Sequence, residues 1–248
     1  MFRIGIILGL IFFTLHLSAQ QTVFEEARTI YKKENTYGGM IHTSGWGLTY
    51  RHGRYTSGFS RRIYELEFTN FKHPKEIKTF SSVLNGSSGY FYGKQNYLLA
   101  LRTSIGNNNT FISKQSVRGI AISYVLNWGI TFAYAKPVYL EVITQDDDNF
   151  PITEVQRYNP EIHDRGDIIG KASFFRGFLD GRFYPGALIK AGLNFESSRQ
   201  PENINALEVG MTLDAFLQKV PIMGDDTPNQ QFLFNFYVAL NFGGKKTE

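Results

Sequence analysis

Along most of this chain large apolar side chains alternate with small or polar ones. A period of two places successive side chains on opposite faces of an extended strand. From Gly119 to Leu126, Ile120, Ile122, Tyr124 and Leu126 share one face, and Gly119, Ala121 and Ser123 the other. After Asn127-Trp128, read as a tight connection, Ile130, Phe132 and Tyr134 oppose Gly129, Thr131, Ala133 and Ala135. The last run sets Phe232, Phe234, Phe236, Val238, Leu240 and Phe242 against Asn235, Tyr237, Ala239 and Asn241.

Elsewhere the small face also carries charge. Met40 to Arg51 sets Trp46, Leu48 and Tyr50 against Thr49 and Arg51, and Phe59 to Thr69 sets Tyr64, Leu66 and Phe68 against Glu65 and Glu67. Asn96 to Ile105 contributes Arg102; Gly186 to Glu196 contributes Lys190 and Glu196; Ala206 to Ala215 contributes Glu208 and Asp214. Eight strands are expected. The fold class this predicts is all-β, a closed antiparallel transmembrane β-barrel whose apolar face meets lipid. Arg51, Glu65, Glu67, Arg102, Lys190, Glu196, Glu208 and Asp214 then face the lumen. A soluble sandwich or lipocalin-like ligand-binding barrel also alternates, with the faces exchanged. The apolar faces carry almost no charge at their middle positions, and Trp46, Tyr50, Trp128, Tyr134 and Tyr139 suit interfacial girdles, which favours membrane.

The connections are uneven. A long loop is expected over 144–185 and another over 220–230. Barrels of this class usually keep both termini in the periplasm and long loops outside. On this strand count the segment 70–89, with His73-Pro74-Lys75-Glu76, falls on the periplasmic side and is unusually long for it. Either it packs there as a plug or flap, or a strand has been miscounted.

Composition narrows the classes. Arg3, the apolar run Ile4 to Leu15 and Leu17-Ser18-Ala19 have the order of a secretory signal peptide cut after Ala19, and the run is short for a spanning helix of about 20 residues. The expected organisation is a signal peptide at 1–19, a periplasmic segment at 20–37, a barrel at 38–242 and a tail at 243–248. Cysteine is absent, which excludes a lipoprotein anchor, disulfides and thiol catalysis. The formal charge of +4 is too small and too scattered to argue for nucleic acid. Aromatics at 15% with abundant glycine favour strands and tight turns.

Gly45-Trp46-Gly47, Phe68 through His73-Pro74-Lys75-Glu76, Tyr92-Gly93-Lys94, Ala135-Lys136-Pro137-Val138-Tyr139-Leu140 and Lys219-Val220-Pro221-Ile222-Met223 carry a resemblance. The chain resembles an uncharacterised family of small outer-membrane β-barrel proteins of Bacteroidota type, through most of its length. The resemblance implies location and fold and brings no catalytic residues.

Candidate chemistry is sparse. The histidines at 42, 52, 73 and 163 have no ligand spacing, so no metal or cofactor is expected. His163-Asp164 with Ser173 is the barest outline of a hydrolase, and solvated roles are preferred. Asp146, Asp147 and Asp148, with His163 and Asp164, mark a possible partner loop. Isolated buried charges are costly, so the lumen charges are expected to pair. The preferred function is a non-enzymatic structural or protein-interaction barrel in the cell envelope. Its partners would be outer-membrane lipid, the barrel-assembly machinery during biogenesis and an envelope protein. A narrow pore for small solutes and a barrel-embedded hydrolase are the alternatives.

Overall fold

The computed structural model describes residues 31–81, 88–114, 119–146, 148, 150–197, 200–224 and 229–247. The expected signal peptide and the start of the segment after it lie outside the described residues. Thirteen strands follow in chain order: β1 (Lys33–His42), β2 (Gly45–Tyr55), β3 (Ser60–Phe71), β4 (Lys78–Thr79), β5 (Tyr90–Phe91), β6 (Asn96–Ile112), β7 (Ala121–Pro137), β8 (Tyr139–Gln145), β9 (Pro151–Arg157), β10 (Ile168–Lys171), β11 (Arg182–Glu196), β12 (Asn203–Phe216) and β13 (Phe232–Lys246). Eight of them close into a barrel in the order β1-β13-β12-β11-β7-β6-β3-β2. All of its pairings are antiparallel, and β1 closes on β13 from Lys33↔Lys246 to His42↔Tyr237. Closure leaves no sheet edge.

The count of eight holds although three of the expected strands are wrong: one covers two real strands and two divide a single one, so the errors cancel. The expected strand Met40–Arg51 is the end of β1, a turn at Thr43-Ser44 and most of β2. Inward parity passes from the even residues Met40 and His42 to the odd residues Gly47, Thr49 and Arg51 at that turn. β1 gives a weak signal because Gly38-Gly39 interrupts its outward pair, Tyr37 and Ile41. The expected turn at Asn127-Trp128 does not exist: β7 runs unbroken, and its even residues from Tyr124 to Phe132 all face out. Asn127 points inward and donates to Glu65, so a turn-forming residue type here serves the interior. The barrel also begins at Lys33 and ends at Lys246, beyond both expected boundaries.

The corrected order settles the loops. Both ends of the barrel chain and the connections 56–59, 113–120 and 197–202 lie at one end, the terminal end. The connections 43–44, 72–95, 138–181 and 217–231 lie at the other, the loop end. The segment 70–89 therefore shares an end with the longest connection, and no plug on the opposite side is needed. That connection is not plain loop. It holds β8, β9 and β10 as a three-stranded sheet in the order β10-β8-β9, beside the β4-β5 hairpin. Tyr90, Val138, Leu140, Val142, Tyr158 and Ile168 form the core of this cap.

Closure is testable because the chain has no cysteine of its own. Gly39 and Leu240 are Cα partners across the β1–β13 seam, and paired strand residues fall within disulfide reach. Gly39→Cys with Leu240→Cys should cross-link on mild oxidation, read as a shifted band on a non-reducing gel. Gly39→Cys with Asn241→Cys, one residue out of register, should not; equal yields from both pairs would contradict this seam.

Candidate functional site: the interior ion-pair network and the capped end

The wall is divided by parity. Outward positions hold Tyr37, Trp46, Leu48, Leu66, Phe68, Leu101, Ile130, Phe132, Leu213, Phe234 and Leu240, all exposed in the isolated chain. Inward positions hold Arg51, Glu65, Glu67, Arg102, Lys190, Glu196, Glu208 and Asp214, none more than 5% exposed. This is the reverse of a soluble barrel, which turns its apolar face inward.

Seven of those charges form one network at mid-barrel. Arg51 Nε lies 2.5 Å from Glu65, and its guanidinium forks onto Glu208, with Nη2 2.7 Å from Oε1 and Nη1 also bonded. Arg102 grips Asp214 in the same two-pronged manner, its Nε donating over 2.9 Å, and reaches Glu67 at 3.3 Å. Lys190 sits among Glu65 at 2.9 Å, Glu67 and, at 3.7 Å, Glu208. Arg51–Glu65 and Arg102–Glu67 are cross-strand neighbours in register. Arg51–Glu208, Arg102–Asp214 and Lys190–Glu65 instead join strands three steps apart around the ring, so they span the lumen.

Neutral donors complete the carboxylates. The Tyr237 hydroxyl donates to Glu208 at 2.7 Å, Asn127 Nδ2 to Glu65 at 2.7 Å and Thr49 Oγ1 to Glu65 at 3.3 Å. Tyr237 reaches across because Gly192 and Gly210 leave room; a Cβ would stand 2.6 Å and 2.8 Å from its hydroxyl. Toward the terminal end a second cluster joins Glu34, Arg61 and Glu196 to Lys114 and Lys245. Between the two clusters lies a cavity of about 10 Å³, room for about one water. Asn108, Asn194 and Asn241 line it with side-chain atoms that have no protein partner.

At the loop end the interior turns apolar. Leu98, Ala100, Ala133, Ala135 and Leu233 on the strands meet Val220, Ile222 and Met223, which the β12–β13 connection folds back over the mouth. That stopper is tied down: the Gln95 and Asn96 amides donate to the Ile222 carbonyl, and Asn96 Nδ2 donates to the Pro221 carbonyl at 2.6 Å. Beside it Lys94 pairs with Glu76 at 2.6 Å; burial holds its ammonium below the ordinary lysine value even there.

Asp147 lies outside the described residues, Asp148 and Asp164 are exposed, and His163 is buried in the cap. The His163 ring meets Gln156 Oε1 at 3.0 Å and accepts the Asn159 amide at 3.1 Å, and burial lowers its pKa. Both ring nitrogens of His163 are thus engaged by Gln156 and Asn159, not by Ser173. Among the described residues no cluster of three or more histidines and carboxylates is suited to a metal.

Sequence reading missed Glu34, Arg61 and Tyr237 as members. Arg61 shares the parity of Glu65 and Glu67 and was findable; Glu34 was hidden with β1.

No protein-family model matches the sequence, and no curated protein matches it. Among the solved structures that align along most of the chain are the following three. Neisserial surface protein A is 7% identical, with 86% of this chain and 95% of that one covered at a TM-score of 0.40. The N-terminal β-barrel domain of Pseudomonas aeruginosa OprF is 9% identical, with 86% and 96% covered at 0.36. Ail, the attachment invasion locus protein of Yersinia pestis, is 9% identical, with 87% and 99% covered at 0.39. The barrel assignment rests on this chain's own strand pairing.

Removing one partner from a buried ion pair strands the others and costs about 3–5 kcal/mol. Lys190→Met leaves Glu65, Glu67 and Glu208 without their shared cation and should lose stability on that scale. A urea titration of the folded barrel measures it, and an unchanged midpoint would show that the network does not depend on Lys190.

Proposed function

We propose that this chain is an outer-membrane β-barrel with a sealed lumen, a structural or interaction protein of the bacterial envelope that meets its partners through the loop-end cap. The observation that carries this reading is the inverted wall. Large apolar side chains ring the outside of the barrel, while its charges are buried and paired inside. A backbone closed on itself is the strand solution that satisfies every amide within lipid. The Bacteroidota-type affiliation rests on sequence likeness alone.

The filled interior argues against the pore. Cross-lumen ion pairs occupy the middle, and Val220, Ile222 and Met223 close the loop end. It argues equally against a lipocalin-like carrier, which needs an apolar internal cavity. With the lumen closed, the cap is the part of the protein shaped to meet other molecules in water, and irregular segments on a rigid scaffold commonly carry binding.

Arginine substitutions along β7 test the membrane reading. Ile130 lies near the strand's centre, whereas Ile122 lies beyond Tyr124, whose cross-strand partner is the polar Asn109. Arginine on a lipid face costs about 2–4 kcal/mol at the bilayer midplane and about 0–1 near the interface. Ile130→Arg should therefore destabilise the barrel in vesicles far more than Ile122→Arg. Equal, small costs would mean that the outer face meets water. In planar bilayers the wild-type protein should show no conductance above background, and discrete channel currents would overturn the sealed lumen.

A further inference from the structure

The turn between β10 and β11 lies on the outer wall of the barrel, to one side of the mouth. On β7 the outward rank Trp128, Ile130, Phe132 ends in Tyr134, whose hydroxyl bonds the Phe178 carbonyl and accepts the Gly181 amide at 3.1 Å. The Phe178 and Phe183 rings pack against Tyr134 at a tilt, with centroids 5.8 Å and 4.8 Å away. Phe174 covers Tyr97 on β6 at 5.5 Å and Lys136 on β7, whose ammonium lies 5.0 Å from the Phe174 ring centroid. Tyr139 fixes the other flank by donating to Asp180 at 2.7 Å. Glycines admit these close approaches: Gly177 has φ 68°, and a Cβ there would stand 2.0 Å from the Tyr139 ring.

A turn held by this many contacts still leaves its largest apolar groups uncovered. Leu179 is 93% exposed, Phe175 79% and Phe183 71%. Phe183, on β11 opposite Tyr134, continues the apolar wall of Ile130 and Phe132, and Phe175 and Leu179 lie in the turn just before it. Arg176, also exposed, stands among them.

We propose that the 173–183 segment is a lipid anchor, seating Phe175 and Leu179 at the hydrocarbon boundary of the leaflet at the loop end and setting Arg176 against lipid phosphate. This rests on the membrane reading above. Lipid is favoured over a protein occupant because the patch continues the barrel's outer wall, and because an aromatic and arginine rim matches the boundary between hydrocarbon and charged headgroups.

The test uses nitroxide labels on single cysteines, which the cysteine-free chain permits. Leu179→Cys, Ile130→Cys and, in the cap, Val155→Cys are labelled in the full protein, in vesicles of phosphatidylethanolamine and phosphatidylglycerol. Collisions with oxygen, which concentrates in hydrocarbon, are compared with collisions with a water-soluble nickel chelate. The expected order is Ile130 deepest, Leu179 shallow but inside the hydrocarbon, and Val155 in water. Arg176→Glu should move the Leu179 label toward water. A Leu179 label as open to nickel as Val155, with Ile130 still in hydrocarbon, would overturn the anchor and leave the barrel reading intact. A Leu179 label closed to both reagents would overturn it in favour of a protein contact. Nickel access at Ile130 would remove the membrane reading and the anchor together.

Discussion

The constraint on which this molecule turns is the narrowness of an eight-stranded lumen, which side chains must fill. Here the filling is ionic, and a buried ion is tolerable only when its partners are placed in full. Three cations, Arg51, Arg102 and Lys190, face four carboxylates, Glu65, Glu67, Glu208 and Asp214. The excess acceptors are met by Tyr237, Asn127 and Thr49. Much else follows from that stoichiometry: glycine at 192 and 210 to admit Tyr237, asparagine at 127 in the middle of a strand, and two arginines oriented to fork onto carboxylates across the lumen.

Alternation made the fold class legible because a barrel wall has two unlike environments, and each strand reports both. It did not make the strand ends legible. β1 contributes only Tyr37 and Ile41 as large outward groups, so its period dissolves into Gly38-Gly39. β7 looked like two strands because asparagine ordinarily marks turns. The unbroken even parity from Ile122 to Tyr134 was the available counter-signal, since a two-residue loop need not preserve parity. The awkward side assigned to the segment 70–89 was a symptom of the same slip, and restoring β1 and β7 moves every long connection to one end.

The interior was legible only as membership. Parity says which charges share a face; it is silent on which of them meet, because that depends on the order of strands around the ring. Arg51–Glu208 and Lys190–Glu67 are far apart in sequence and sit on strands that are not neighbours. The cap was less legible still. Its core of Tyr90, Val138, Leu140, Val142, Tyr158 and Ile168 is drawn from segments separated by whole barrel strands. His163 looked chemical in the sequence, and its surroundings make it a packed, hydrogen-bonded core residue.

A sealed barrel has no evident need of a charged interior, since apolar side chains would fill the space at less desolvation cost. Register supplies a reason. Sliding one strand by a single residue exchanges its faces. For β3 that slip would carry Glu65 and Glu67 to the outside and drive Tyr64, Leu66 and Phe68 into the lumen. With an apolar interior the two registers would bury similar side chains and compete closely. With Lys190 and Arg102 waiting inside, the slipped strand would take Glu65 and Glu67 from Lys190, leave Arg102 with Asp214 alone and set two carboxylates on the apolar outer face. The ion pairs that close the lumen thus also make the wrong pairings expensive, so one network both blocks the passage and fixes which face of each strand turns inward.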